Sequence, residues 1–120
     1  GARFITVHAP CCLGAGFDGG LSMKYARTAV QSKLWFLFEI ENGKFKLNFN
    51  AKAAKPVTEY LTGQKRFAHL NSETTEVIQK KADENYSKMV AWHERSQAVS
   101  SAVFNATPVA PMPSAVSPPT

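Results

Sequence analysis

Two adjacent thiols, Cys11 and Cys12, sit in the run His8-Ala-Pro-Cys-Cys-Leu-Gly-Ala-Gly-Phe-Asp-Gly-Gly20, which also holds four of the chain's seven glycines. Thiolates ligate soft and borderline metals or attack electrophiles, and glycine-rich turns let backbone amides approach phosphate. Each chemistry makes its own demand on the neighbours. Gly14-Ala-Gly-Phe-Asp-Gly19 has the form G-x-G-x-x-G, with Glu39 or Glu41 about 20 residues further on, as a dinucleotide fingerprint requires. That fingerprint places its first glycine directly off a strand, whereas here Ala9-Pro-Cys-Cys-Leu13 intervenes. A cluster or zinc site needs about four ligands. This loop offers Cys11, Cys12 and His8, so it could give one or two ligands to a site completed elsewhere. Nucleophilic catalysis needs a base and a group to orient it. His8, His69 and His93 are the candidates, and no acid is placed beside them. Burial as a pair of small hydrophobes is the commoner fate of free cysteine, and spacing alone favours it.

The loop must be positioned by what flanks it. Phe4 to Ala9 reads as a buried strand closed by Pro10, which cannot donate to a ladder. Asp18 is a plausible N-cap for a helix from Leu21 to Leu34, with Met23, Ala26, Val30 and Leu34 on its apolar face. Trp35 to Glu41 and Lys44 to Phe49 form a hairpin about Asn42-Gly43, the pair that best tolerates the positive torsions of a two-residue turn. Phe36, Phe38 and Ile40 share one face of the first strand, and Phe45, Leu47 and Phe49 point inward from the second. This hairpin also speaks against a dinucleotide fold, which would continue into a crossover helix. Lys52 to Lys55 is a basic linker. Pro56 then opens a short helix, Val57 to Leu61, that Gly63 ends. After an irregular connector from Gln64 to Leu70, Asn71 or Ser72 caps a long helix to about Gln97. The expected fold is therefore α/β: one strand plus an Asn-Gly hairpin, packed by the 21–34 helix and by a long C-terminal helix. Residues 1–98 form the folded part. Residues 99–120, uncharged and with five prolines from Pro108 to Pro119, form a tail that is disordered or packs on a partner.

The longest apolar run, Leu34 to Phe38, is far below the roughly 20 residues a spanning helix needs, so no membrane association is expected. Vicinal cysteines without a secretory leader point to reduced thiols in the cytoplasm. The net charge of +5 is concentrated between Lys44 and Arg66, where six basic residues meet one acid, Glu59. Such a segment can attract nucleic acid or an acidic protein, but a solvated hairpin and loop explain it as well. The Phe stripe has period two, which fits a sheet core better than a base-stacking platform, so no nucleic-acid partner is expected.

Several segments in series carry a resemblance: His8 to Asp18, Tyr25-Ala-Arg-Thr-Ala-Val30, Leu34-Trp-Phe-Leu-Phe-Glu-Ile-Glu-Asn-Gly-Lys44, Lys55-Pro-Val-Thr-Glu-Tyr-Leu61 and Gln64-Lys-Arg-Phe-Ala-His-Leu70. From about residue 3 to 95 the chain resembles the C-terminal part of the β subunit of pyruvate:ferredoxin oxidoreductase, within the thiamine-diphosphate-dependent 2-oxoacid:ferredoxin oxidoreductases. The resemblance implies the C-terminal part of a thiamine-diphosphate-binding fold. It further implies oxidative decarboxylation of a 2-oxoacid, pyruvate foremost, with electrons passing through [4Fe-4S] clusters to ferredoxin and the acyl group loaded on coenzyme A. Cys11 matches the family's lone distant ligand to the cluster nearest the thiamine, so one thiolate is all this region should provide. Cys12 stands where the family commonly has Pro or Ile and is not carried over. Leu13 replaces a usual Thr or Asn, and Ala15 a Trp found in some members. Leu13 and Gly14 would lie near the thiamine and cluster.

The thiamine-diphosphate and Mg²⁺ motif and the other three cluster cysteines are absent from these residues. The chain is accordingly expected to be inactive alone. It would be a fragment or separately made piece that works with other oxidoreductase subunits or with an N-terminal part of the same subunit. Lys65 and Arg66 would face an acidic partner or remain a solvated loop. The competing readings are a non-catalytic interaction module with the same fold and, behind it, a nucleotide-binding βαβ unit.

Overall fold

Asn42 and Gly43 take φ values of 50° and 76°, the positive torsions of a two-residue hairpin turn. They join β1 (Phe38–Glu41) to an antiparallel β2 (Lys44–Leu47), with Phe38 opposite Leu47 and Ile40 opposite Phe45. The computed structural model describes residues 1–48 and 54–104, with side chains as far as residue 99. Among the described residues these two strands are the whole sheet. The ladder starts later than Trp35 because the N–H groups of Leu34 and Trp35 both donate to the Ala29 carbonyl, at 3.0 and 3.1 Å, closing the preceding helix. Phe49 and the first half of the basic linker, residues 52 and 53, lie outside the described residues.

The hairpin is seated on α4 (Ser72–Phe104). Phe45 is 1% exposed and its ring stacks on Trp92 at 4.1 Å and 6°. Burying a phenyl side chain in this way stabilises by roughly 1.5–3 kcal/mol. The outer edge of β2 is satisfied by helix side chains instead of a third strand. Phe45 N–H donates to Ser96 Oγ (3.1 Å), Leu47 N–H donates to His93 Nδ1 (3.3 Å), and Gln97 Nε2 donates to the Phe45 carbonyl (3.3 Å). All four residues of β1 are exposed.

A strand over Phe4 to Ala9 does not form. Residues 1–10 belong to no helix, turn or ladder, and Phe4, Ile5 and Val7 are 91%, 81% and 76% exposed. β-branched and aromatic composition favours a pleated surface only where a neighbouring strand supplies the hydrogen bonds, and none lies beside this run among the described residues.

Asp18 caps as its sequence position implies, accepting from Gly20 N–H at 2.8 Å. The element it caps is a 3₁₀ turn, Gly19–Leu21, that leads into α2 (Ser22–Gln31). The buried face of α2 is Tyr25, Thr28 and Ala29, whereas Met23 of the expected face is 74% exposed. The helix is rotated because the Tyr25 hydroxyl donates to the Thr62 carbonyl at 2.9 Å, a partner 37 residues away. A Cβ on Gly63 (φ 84°) would come within 2.5 Å of that hydroxyl. Glycine is thus required there for both torsion and room, at the end of α3 (Thr58–Leu61).

Tyr25, Ala29, Val57, Tyr60, Leu61 and Ala82 make one core cluster, flanked by Phe17, Leu34, Trp35, Phe67, Leu70 and Ile78. Asn71 caps α4, its Oδ1 accepting from the N–H and the hydroxyl of Thr74, both at 2.8 Å. Farther along α4, Gln79 accepts from Val57 N–H (2.9 Å) and donates to Asp83 (3.0 Å), which pairs with Lys33 Nζ at 2.7 Å. This one helix covers the sheet and closes the α2–α3 core. The expected role of the 21–34 helix as a cover for the sheet falls to α4. The helix also continues past Gln97 to Phe104, and residues 105–120 lie outside the described residues.

Candidate functional site: the cysteine turn

Residues 12–15 form a single helical turn, α1 (Cys12–Ala15), and Cys11 is its N-cap with φ −92° and ψ 111°. The Cys11 carbonyl accepts from Ala15 N–H at 2.9 Å, which fixes the direction in which the side chain leaves the turn. Its Sγ accepts from Gly14 N–H at 3.4 Å. Sulfur is a weak hydrogen-bond acceptor, and this amide orients the side chain on the turn. Cys11 is exposed, Cys12 is half-buried, and both are free thiols. Consecutive residues at the cap and first helical position leave the backbone in different directions, so the two sulfurs do not face one ligand. The Cys12 sulfur lies on the side of Gly19, where an added Cβ would stand 3.8 Å from it.

The turn is braced from below. Gly16 closes α1 in the left-handed region (φ 72°), and its carbonyl accepts from Lys65 N–H at 3.2 Å. A Cβ on Gly16 would lie 2.6 Å from Lys65 Cβ. The brace is a 3₁₀ turn, Lys65–Phe67. Arg66 holds it, with Nε donating to Gln64 Oε1 and Nη2 to Tyr60 Oη, both at 3.0 Å, and its guanidinium 4.6 Å over the Phe67 ring. Gln64, 2% exposed, donates in turn to the Tyr60 carbonyl. The sequence gives no local signal for this brace, because Gly16 and Lys65 are 49 positions apart.

Arg66 is therefore engaged within the fold, while Lys65 presents its side chain to solvent. Other cations of the basic segment are also partnered: Lys46 with Glu39 (3.8 Å) and Lys55 with Glu59 (2.8 Å). Exposed pairs of this kind contribute little stability but reduce the free positive charge.

The histidines do not assemble with the thiols. His8 stacks on Trp35, ring centroids 5.0 Å apart, with its Nε2 enclosed and without a partner. His93 holds the β2 edge, and His69 is exposed. No hydrogen bond joins any of them to Cys11 or Cys12 among the described residues, so a Cys–His nucleophile has no geometric support. The glycine fingerprint also lacks its frame. No strand precedes Gly14, and Gly16 ends a one-turn helix instead of opening a long one. Among the described residues no three Cys, His, Asp or Glu side chains converge as a metal site. The Cys11 sulfur is exposed and carries one amide donor, so it is open to contact from outside the turn. Leu13, 90% exposed, and Gly14 lie on the same solvent-facing turn.

No family model matches the chain. Among curated proteins it is 42% identical over 83 residues to the pyruvate synthase subunit PorB of Methanothermobacter marburgensis, covering 69% of this chain and 29% of that protein. It is 43% identical over 84 residues to the PorB of Methanocaldococcus jannaschii, covering 70% and 28%. To the ketoisovalerate oxidoreductase subunit VorB of Pyrococcus horikoshii it is 38% identical over 91 residues, covering 74% and 29%. The chain spans less than a third of the length of these relatives.

Proposed function

We propose that this chain, which is similar over about 70% of its length to pyruvate synthase subunit PorB and ketoisovalerate oxidoreductase subunit VorB, belongs with the β subunits of 2-oxoacid:ferredoxin oxidoreductases and works as one piece of such an enzyme. It supplies a single cluster ligand and the packing around it. The reaction is the oxidative decarboxylation of a 2-oxoacid, pyruvate in the first instance, with ferredoxin as electron acceptor and coenzyme A as acyl acceptor. Thiamine diphosphate with Mg²⁺ supplies the carbanion-stabilising chemistry, and a [4Fe-4S] cluster supplies the one-electron path; three of its ligands and the thiamine motif belong to polypeptide outside these residues.

Within that assembly this chain's own residues have definite tasks. Cys11 presents a thiolate from the cap of α1. Gly14 N–H donates to that sulfur, and such donors raise the potential of a ligated cluster by stabilising its reduced, more negative state. Leu13 and Gly14 border the cofactors and limit water there. Cys12 packs as a small hydrophobe. Free vicinal thiols fit a reducing compartment, and we assign the assembly to the cytoplasm.

The observation that carries this reading is the free, exposed Cys11 sulfur held by one backbone amide. Cys11→Ser in the assembled complex tests it, with the reduced clusters followed by electron paramagnetic resonance. The expected result is loss or alteration of one cluster signal together with slowed electron transfer, while Cys12→Ser leaves both intact. Unchanged spectra and electron transfer in Cys11→Ser would remove the ligand role and leave the non-catalytic interaction module.

A further inference from the structure

α1 is a single turn, and a helix of four residues holds no orientation by itself. The direction of the Cys11 side chain at its cap is therefore set by what grips the turn from outside. On the C-terminal side that grip is the Lys65 N–H, which donates to the Gly16 carbonyl at 3.2 Å. The donor belongs to a 3₁₀ turn of three residues, Lys65–Phe67, which is no more self-supporting. Its anchor is the Arg66 side chain. Nε and Nη2 reach two separate acceptors, Gln64 Oε1 and Tyr60 Oη, and the guanidinium covers the Phe67 ring. Tyr60 is buried and stands edge-on to Tyr25, with ring centroids 6.3 Å apart. Gln64 is buried as well and donates to the Tyr60 carbonyl. One connected path thus runs from the core through Tyr60, Arg66, the 3₁₀ turn and Gly16 to Cys11. Every link in it is a contact within this chain.

We propose that Arg66 is a positioning residue for the Cys11 sulfur, an inference that rests on the ligand reading above. It touches neither the sulfur nor the metal. It fixes the Lys65 N–H, which fixes Gly16 and with it the turn that carries Cys11. The side-chain type is specific to this task. A guanidinium is a planar fork whose N–H groups meet two acceptors at fixed angles while its face lies on an aromatic ring. A lysine ammonium is a point charge on a flexible stem. Lysine at this position would keep the charge near Phe67 and lose the fork. Groups that orient a metal ligand without touching the metal change its hold on the metal by roughly 10–100-fold.

Hydrogen exchange in the full 120-residue chain reads this path without the cluster. The reporters are the amides of Ala15, Gly16 and Phe17, which donate to the Cys11 and Cys12 carbonyls. Arg66→Met should speed their exchange about tenfold and leave α2 and α4 unchanged, with Arg66→Lys in between. Lys65→Pro isolates the backbone link. Lys65 opens the 3₁₀ turn, and Gln64 before it is extended (φ −99°, ψ 117°), so proline fits the torsions and removes the donor. Lys65→Pro should match Arg66→Met, while Lys65→Ala, which loses the side chain but keeps the N–H, stays within about twofold of the parent. Unchanged turn amides in either Arg66→Met or Lys65→Pro would overturn the proposal. So would acceleration spread evenly over α2 and α4, because Arg66 would then only stabilise the fold. In the assembled complex, Arg66→Met should lose iron to a chelator about tenfold faster, with Arg66→Lys partly restoring the parent rate. Cys11→Ser separates this inference from the cluster reading. A cluster indifferent to Cys11→Ser, beside faster turn exchange in Arg66→Met, sinks the ligand role and keeps Arg66 as the anchor of the turn. A cluster that depends on Cys11 but holds its iron unchanged in Arg66→Met does the reverse.

Discussion

At the hairpin, the chain satisfies itself: Phe45 is enclosed against Trp92, and three α4 side chains occupy the backbone edge of β2. At the cysteine turn the balance is reversed. Leu13 and Cys11 face solvent, and the turn is tied down by one backbone bond from Lys65 and, on its N-terminal side, by the His8–Trp35 stack. The difference separates two duties. Residues that stabilise the fold are packed and bonded within the chain, whereas the residues able to do chemistry stand where another polypeptide can reach them. The ligand role proposed for Cys11 needs this exposure, because a sulfur that shares a metal cluster has to be left uncovered by its own fold.

The comparison can be broken most sharply at its packed end. Phe45→Ala removes a ring from a site with 1% exposure and should cost about 3–5 kcal/mol. Leu13→Ala, at the open end, should stay within about 0.5 kcal/mol. Urea unfolding of both variants checks the pair, and comparable losses would erase the distinction between the two regions.

Gly16→Ala probes the Lys65 brace of the open region. A left-handed torsion costs a non-glycine residue roughly 1–2 kcal/mol, and the new Cβ also meets Lys65 Cβ. The expected loss is about 2 kcal/mol, with a changed alkylation rate at Cys11 because the turn must shift. Adding Lys65→Gly should recover the contact part of the loss and leave the torsional part.

The smallest effect concerns the ion pair that joins α4 to Lys33, two residues past the end of α2. Hydrogen bonds from Lys33 and then Gln79, with the Lys33 charge, hold the Asp83 carboxyl below the usual carboxylate range against a small opposing effect of burial. Because the folded group is the stronger acid, this stabilisation is fully present above the unfolded carboxylate value of about 3.9. It is lost as pH falls through the folded value. Asp83 is about half exposed, so screening limits the contribution to roughly 0.5–1 kcal/mol. Asp83→Asn should lower the unfolding free energy obtained from urea titration by that much at pH 7 and remove this group's share of the acid destabilisation.

What could be read from the residues was what neighbours decide. Asn42-Gly43, the Asp18 cap, the stop at Gly63 and the start of α4 each depend on torsions or hydrogen bonds within a few positions, and each is present. The rotation of α2 was not legible, because it follows from a hydroxyl bond to Thr62 across 37 residues. Neither was the use of His93, Ser96 and Gln97 as a substitute strand edge, since polar residues on a long helix ordinarily read as a solvated face. The strand over Phe4 to Ala9 shows the same limit from the other side: its composition is that of a strand, but a ladder needs a partner. At the site, the sequence drew attention to Cys11 through its glycine-rich setting and family resemblance. Its role as a helix cap, and the dependence of Gly16 on Lys65, came only with the backbone.

The position of α4 in the chain has a consequence for biosynthesis. The bonds that seat the hairpin reach from Phe45 and Leu47 to His93, Ser96 and Gln97, separations of 46–52 residues. Emerging from the ribosome first, the hairpin and the short helices must wait for a helix made after them before Phe45 can be shielded. A two-stranded hairpin is at best marginal in water. The nascent chain therefore exposes its aromatic stripe for much of translation, and the late arrival of α4 makes this the interval in which chaperone binding or aggregation competes with folding.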